Sequence, residues 1–405
     1  VKVVLVHRVL HHWRTPVYRR LARWPGIDFL ALHGADFPGT KSVNGRDLSG
    51  FAHRQLPTWR LISRISGERE IALPFFPTLL CALRRARPDV ILADGGSNLL
   101  NNCLVILYSR LSGVPIVWWT LGEVRHPGRL GPLQRLFRWL VAAMDRRGAA
   151  LVGYSSQALA YFERIGIPGE RRFRAVNCVD TERVASQIEA ARERVPGLRR
   201  RLGLEGRTVL LFVGALAPYK RVEDLIAVYA ELRRERPELA LVVVGGGGHR
   251  GALEGFAAEQ GAADVVFAGE VVEDVAAWFQ LGDVFVLPGL GGLAISEAMV
   301  HGLPVVVPEA DGSERDLVEE GGNGWLFHRG DRGELRRHLE RLAADAELRR
   351  RMGERSRWII QNRYNIQSFM QNLVGALEYA AAGRQLARSA RAARADRGAA
   401  GGPPG

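Results

Sequence analysis

The segment PGLGGLAISEAMVHGLPVVVP, residues 288–308, decides the fold. Gly289, Gly291 and Gly292 precede a short apolar stretch that reads as a helix, and PVVVP follows as a β-branched run that reads as a buried strand. Glycine lets a backbone approach a ligand closely, and the amides of a helix's first turn attract anions. On a helical wheel Glu297 lies between Leu293 and Val300, with Ile295 and Met299 on the other side. Both faces are apolar, so the helix is expected to be buried. A buried carboxylate with no cation beside it in the chain needs hydrogen-bond donors from elsewhere, and a ligand is one source.

Outward from this segment, strands and helices alternate in both directions. Towards the N-terminus, VKVVLV (1–6), DFLALH, DVILAD, PIVWWT and ALVGYS read as strands, separated by helical segments at TPVYRRLARW, TLLCALRRARP, 98–112 and about 131–147. The charged, glycine-bearing ERVPGLRRRLGLEGR (193–207) reads as an interdomain linker. After it TVLLFVG, LALVVVGGGG, DVVFAG, VFVLPG and PVVVP alternate with helices in the same way. The fold class is therefore α/β, with two Rossmann-like doubly wound domains facing across a cleft. Expected boundaries are 1–195 for the first domain, 196–355 for the second, 356–380 for helices crossing back, and 381–405 for a disordered Ala/Arg/Gly/Pro tail.

Composition narrows the class. The 405 residues exceed a single core, and the net charge of +13 is uneven. Residues 1–200 hold 31 Lys and Arg against 15 Asp and Glu, whereas 201–380 hold 20 against 27. A basic first half implies an anionic membrane surface or a phosphate-bearing substrate; no reader motif points to nucleic acid. The helix at 129–147, RLGPLQRLFRWLVAAMDRR, mixes leucines and aromatics with arginines, as a membrane-surface helix does. Cys81, Cys103 and Cys178 are widely spaced without metal-ligand pairing. No apolar run is long enough to span a membrane and no signal peptide precedes Val1, so the expected location is cytoplasmic.

In LFVGALAPYKRVEDLI, Gly214 ends a strand and Lys220 opens a helix, a position suited to a cation holding phosphate oxygens. VVVGGGGHR, which contains Gly245, lacks the spacing of a dinucleotide fingerprint. Together FVGALAPYKRVEDLI, VVVGGGG, FAGEVVEDVAAWFQLGDVFVLPG, SEAMVHGLPVV and DGSERDLVEEGGNGWLF resemble, in order, the C-terminal half of a family 4 (group 1) retaining glycosyltransferase of GT-B fold. HHWRTPVYRRLA, VWWTLGE and AVNCVDTERV extend the resemblance more loosely into the first half.

The resemblance implies transfer of a sugar from a nucleoside-diphosphate donor, with no metal and no other cofactor. It makes Lys220 the cation on the diphosphate and Glu297 the second acid of an E-x7-E motif, which accepts hydrogen bonds from the ribose. Amides around Gly292, Leu293 and Ala294 would meet sugar and phosphate, and Gly269, Glu270 and Val271 the base. Trp13, His12 and Arg14 in HRVLHHWRTP are acceptor-side candidates, His12 and Arg14 with catalytic roles, joined by Asp94, Glu123 and Arg125 on later strand ends. The implied acceptor is a saccharide or lipid-linked saccharide, as in surface polysaccharide assembly.

Three positions depart from the family pattern. Gly289 replaces the first acid of E-x7-E, Ala215 an arginine five residues before Lys220, and Leu121 a histidine after the tryptophan pair. Arg221, Arg14 and Arg125 are candidate replacements for the lost charge. The departures keep two alternatives open: a non-catalytic nucleotide-sugar-binding subunit and a nucleotide-sugar 2-epimerase.

Overall fold

The computed structural model describes residues 1–37, 43–65, 69–96, 98–122, 131–271, 274–310 and 312–399. The chain divides into two compact units, Val1–Ala175 with the segment from Met370 onward, and Val176–Phe369.

In the first unit the strands are β1 (Lys2–His7), β2 (Asp28–His33), β3 (Ala52–Gln55), β4 (Trp59–Ile65), β5 (Arg69–Phe75), β6 (Val90–Asp94), β7 (Ile116–Thr120), β8 (Ala150–Gly153) and β9 (Arg172–Arg174). Seven of them form one parallel sheet in the order β3-β2-β1-β6-β7-β8-β9, and β4 pairs with β5 as an antiparallel hairpin. In the second unit β10 (Thr208–Val213), β11 (Leu239–Val244), β12 (Val266–Gly269), β13 (Val284–Val286), β14 (Val305–Pro308) and β15 (Gly324–Phe327) make a parallel sheet ordered β12-β11-β10-β13-β14-β15. Each sheet winds outward in one direction from its first strand and then in the other, which places a topological switch beside β1 and beside β10.

Why these residues form central strands is visible in their burial. Val3 to Val6 and Val209 to Phe212 are inaccessible to solvent, as the helices on both faces require of uninterrupted apolar runs. Helices close the same cores with one face, as Leu225, Tyr229 and Leu232 do from Val222–Glu235.

Three expectations about organisation need correction. The linker read at 193–207 is largely helix: Ile188–Arg201 packs with the second unit through buried Ala191 and Leu198. Arg199 donates to the Leu281 carbonyl at 2.8 Å and to Asp283 at 3.1 Å, and Arg194 pairs with Asp274 at 2.8 Å. The boundary therefore falls at Ala175/Val176, not near 195. The return to the first unit begins at Met370 rather than 356. Lastly, the segment read as a disordered tail continues the helix Ile366–Ala399, and Arg384 donates to the carbonyls of Pro88 and Asp89 at 2.9 and 3.1 Å.

That helix sets a stability requirement for the first unit. Met370, Leu373, Val374 and Leu377 are each at least 98% buried, and burial of such a side chain is worth about 1.5–3 kcal/mol. A chain ending at Phe369 is expected to lose cooperative unfolding of the first unit, whereas one ending at Arg388 retains it. Thermal unfolding followed by limited proteolysis separates the two outcomes.

Candidate functional site

The carboxyl ends of β10, β11, β12 and β13 emerge around the switch beside β10, and their loops are joined through backbone atoms. Gly214 donates its amide to Val244 at 3.0 Å, Leu216 to Gly246 at 2.8 Å, and Gly245 to Gly269 at 2.8 Å. Gly245 and Gly247 have φ of 145° and 151°, and a Cβ on either would strike the carbonyl of Gly214 or Leu216. The glycine run after β11 is thus required by the close approach of neighbouring loops.

Lys220 lies in the short turn Pro218–Lys220 after β10. Its ammonium donates to the carbonyl of Leu290 at 2.8 Å and to that of Gly291 at 3.3 Å, while the Leu290 amide donates back to Tyr219 at 3.2 Å. Gly289 sits flush against the backbone of Tyr219 and Lys220, so any Cβ there would collide with both. The Cβ positions of Gly292 and Gly214 would lie 3.8 Å from Lys220 Nζ and 3.9 Å from its Cε. Lys220, Gly214, Gly289, Gly291 and Gly292 therefore form one cluster. No acid can stand at position 289 unless this joint opens.

The helix Ala294–Val300 begins directly after the loop and is anchored by buried Ile295, Ala298, Met299 and Val300. Glu297 sits in its first turn. Burial raises the Glu297 pKa above the ordinary carboxylate value, opposed by the charge of Arg183; among the described residues no hydrogen bond to the carboxylate offsets the cost. Leu293 and Ala294 are half-buried against the core, as is Val271. Gly269, with φ of 79°, ends β12 beside Arg250, and the exposed Glu270 borders Gly246.

Arg221, the candidate replacement cation, is engaged with an acid. Its backbone is left-handed, with φ of 52°, and its Nε donates to Asp224 at 2.5 Å; Arg332 donates to the other oxygen of Asp224 at 2.8 Å. It serves the entry to the helix Val222–Glu235. A second acid, Glu314, was missed: it is fully buried, accepts from the Gly312 amide at 3.0 Å, and borders Gly291. Its position in the quoted DGSERDLVEEGGNGWLF segment was the available signal.

In the first unit a polar cluster surrounds the end of β1. Asp94 lies 3.7 Å from the buried His7. Arg14 rests with its guanidinium carbon 4.1 Å from the Trp119 ring centre and 4.8 Å from that of Tyr154. Trp13 stacks on His11 at 4.1 Å, and the exposed His12 meets its edge at 4.9 Å. Burial pushes the His7 pKa down to about 4 and that of His11 to about 3. His7, Tyr18 and Tyr154 were not singled out by sequence, since they converge from different elements. Glu123 and Arg125 lie outside the described residues.

The two tests of this geometry concern Gly289 and Glu297. Gly289→Ala is expected to lower the melting temperature, since the methyl must displace the Tyr219–Lys220 backbone. For Glu297 the folded state holds its proton more tightly than the unfolded chain. Stability therefore falls as pH rises from the unfolded carboxyl value through the raised folded one, and the ionised group is a cost at neutral pH. Glu297→Gln is expected to raise the melting temperature of the empty protein at neutral pH, with the difference shrinking on acidification. Calorimetry at several pH values checks both sign and window.

Comparison with known proteins agrees with this geometry. Residues 196–358 match the model of the family described as Glycosyl transferases group 1. An α-D-kanosaminyltransferase of Streptomyces kanamyceticus is 29% identical over 280 residues, 66% of this chain and 72% of that one. A GDP-mannose-dependent α-(1-6)-phosphatidylinositol monomannoside mannosyltransferase of Mycolicibacterium smegmatis is 34% identical over 197 residues, 45% of this chain and 50% of that one. Among solved structures, Anabaena HepE in complex with UDP superposes with a TM-score of 0.73 at 19% identity, covering 93% of this chain and 100% of that one. WaaG, a glycosyltransferase of lipopolysaccharide biosynthesis, gives 0.65 at 18% identity over 91% and 97%. Residues 196–358 thus belong to the group 1 glycosyl transferases, and the chain is a glycosyltransferase of GT-B fold.

Proposed function

We propose that the second unit binds a nucleoside-diphosphate sugar and that the enzyme transfers the sugar, with retention of configuration, to a saccharide or lipid-linked acceptor held by the first unit. The observation that carries this reading is the joint at Lys220: an ammonium fixed on the glycine loop that leads into the helix bearing Glu297. A diphosphate on that loop would meet the ammonium and the amides of the first helical turn, and a ribose diol would give Glu297 the donors it lacks. HepE with UDP and with UDP-glucose supports the donor class for a protein of the same fold.

In this reading the donor's glycosidic C–O bond breaks, a new C–O bond to the acceptor oxygen forms on the same sugar face, and the acceptor proton leaves with the diphosphate. Lys220 and the loop amides would stabilise the leaving charge, so no metal is called upon. Lys220→Ala is expected to lower kcat/KM about 100-fold or more. Product formation that requires both nucleotide sugar and acceptor supports transfer. Turnover without acceptor would instead identify an epimerase, and nucleotide-sugar binding without turnover a binding subunit.

We further propose that the first unit contacts an anionic membrane, at the inner face of the cell membrane. On the helix Pro132–Asp145 the side chains of Leu136, Phe137, Trp139 and Leu140 are exposed, Trp139 by 61%, beside Arg135 in the basic half of the chain. No helix among the described residues is long and apolar enough to cross a membrane, so contact would be peripheral. Replacing Phe137 and Trp139 by Ser is expected to weaken binding to vesicles containing phosphatidylglycerol about tenfold or more. Sedimentation unchanged by the substitutions would rule the surface out.

A further inference from the structure

The polar cluster at the end of β1 carries an assignment beyond the identity of the reaction. His7 Nδ1, Arg8 Nε, His11 Nδ1, Arg14 Nη1 and the Tyr18 hydroxyl are buried atoms that find no hydrogen-bond partner among the described residues. Buried polar atoms in folded proteins are nearly always paired. Five such atoms within residues 7–18 mark a place prepared for a partner.

The chemistry of the set selects that partner. The arginine atoms only donate, the tyrosine hydroxyl is able to donate, and each neutral histidine carries one N–H. Against them stands one carboxylate, Asp94, already beside His7. A neutral sugar hydroxyl both donates and accepts and would leave this surplus of donors unmatched. A phosphate oxygen only accepts. Arg14 is moreover packed against the adjacent Trp119 and Tyr154 rings, 4.1 and 4.8 Å from their centres, so its side chain is placed before anything binds. Trp13, stacked on His11 and 41% exposed, offers an aromatic face next to these donors.

We infer that the cluster formed by Arg8, His11, Arg14 and Tyr18 is an oxyanion subsite that takes a phosphate group on the acceptor. This rests on the reading of the first unit as the acceptor side. His11 acts as a neutral donor, so the charge of the subsite comes from Arg8 and Arg14.

The test uses the full chain with glucose 6-phosphate, glucose, sulfate and UDP as probes in calorimetric titrations. Glucose 6-phosphate is expected to bind at least about tenfold more tightly than glucose, with the same affinity when UDP is saturating. Arg14→Lys should remove about tenfold of that advantage, and Tyr18→Phe, which deletes one hydroxyl and keeps the ring, about threefold. Sulfate, whose charge is constant, should bind with an affinity that is flat between about pH 5.5 and 8.

Equal affinity for glucose and its phosphate would overturn the assignment, as would displacement of the sugar phosphate by UDP, which would make the anion the donor's. A steep gain in sulfate affinity below about pH 6 would show histidine charge in place of the arginine clamp. Should Arg14→Lys fail to fold, the wild-type comparison and Tyr18→Phe still decide. Absence of UDP binding alongside a preference for the sugar phosphate counts against the nucleotide-sugar reading and leaves the subsite standing.

Discussion

The ammonium of Lys220 on the carbonyls of Leu290 and Gly291 is the contact on which the second unit's site depends. It ties the loop after β10 to the loop after β13, on the two sides of the switch where the winding reverses. Gly289 completes the joint by letting the Tyr219–Lys220 backbone lie directly against it. The same mode continues across β11 and β12, where Gly245 approaches Gly214 and donates to Gly269. Four loops are thereby connected mainly by backbone groups, with glycine at the points of contact. Such a floor rests on backbone contacts rather than on side chains with rotamers to change, the kind of support that the proposed stabilisation of leaving-group charge would use.

Seen this way, Gly289 is more than a missing acid. From sequence it reads as a loss in the E-x7-E pattern, because a pattern registers only which side chain is present. The geometry shows that the backbone of Tyr219 and Lys220 fills the volume in which a side chain would start. The glycine and the lysine position are one structural decision.

The parts of the fold legible in the sequence were those with a strong one-dimensional signal. Strands such as VKVVLV and TVLLFV are apolar because both faces are covered. β3 was illegible for the opposite reason: it is an edge strand, exposed at all four residues, and AHRQ has no apolar period. The segment around Pro196 read as a linker because its exposed face is charged, while its attachment relies on Ala191, Leu198 and the reach of Arg199 to Leu281 and Asp283. Arg221 shows a limit of a different kind. Charge beside a glycine loop suggested phosphate, but its partner Asp224 lies one helical turn on, and Arg332, more than a hundred residues away, fixes the pair.

The two units handle buried polarity differently. In the second, the Glu297 carboxylate is raised in pKa by burial and receives no hydrogen bond among the described residues. In the first, two imidazoles and a phenol are buried beside the half-buried Arg8 and Arg14, and burial keeps His7 and His11 uncharged near neutral pH. Both arrangements oppose stability, because an ionisable or polar group withdrawn from water without a full set of partners is a net cost. The surrounding strands are almost wholly inaccessible and supply the compensation. A fold stabilised so heavily by its apolar strands is able to hold groups whose missing partners only a ligand provides. The direction of the mismatch is what motivates the two proposals: an acceptor with few donors around Glu297, and donors with few acceptors around Arg14.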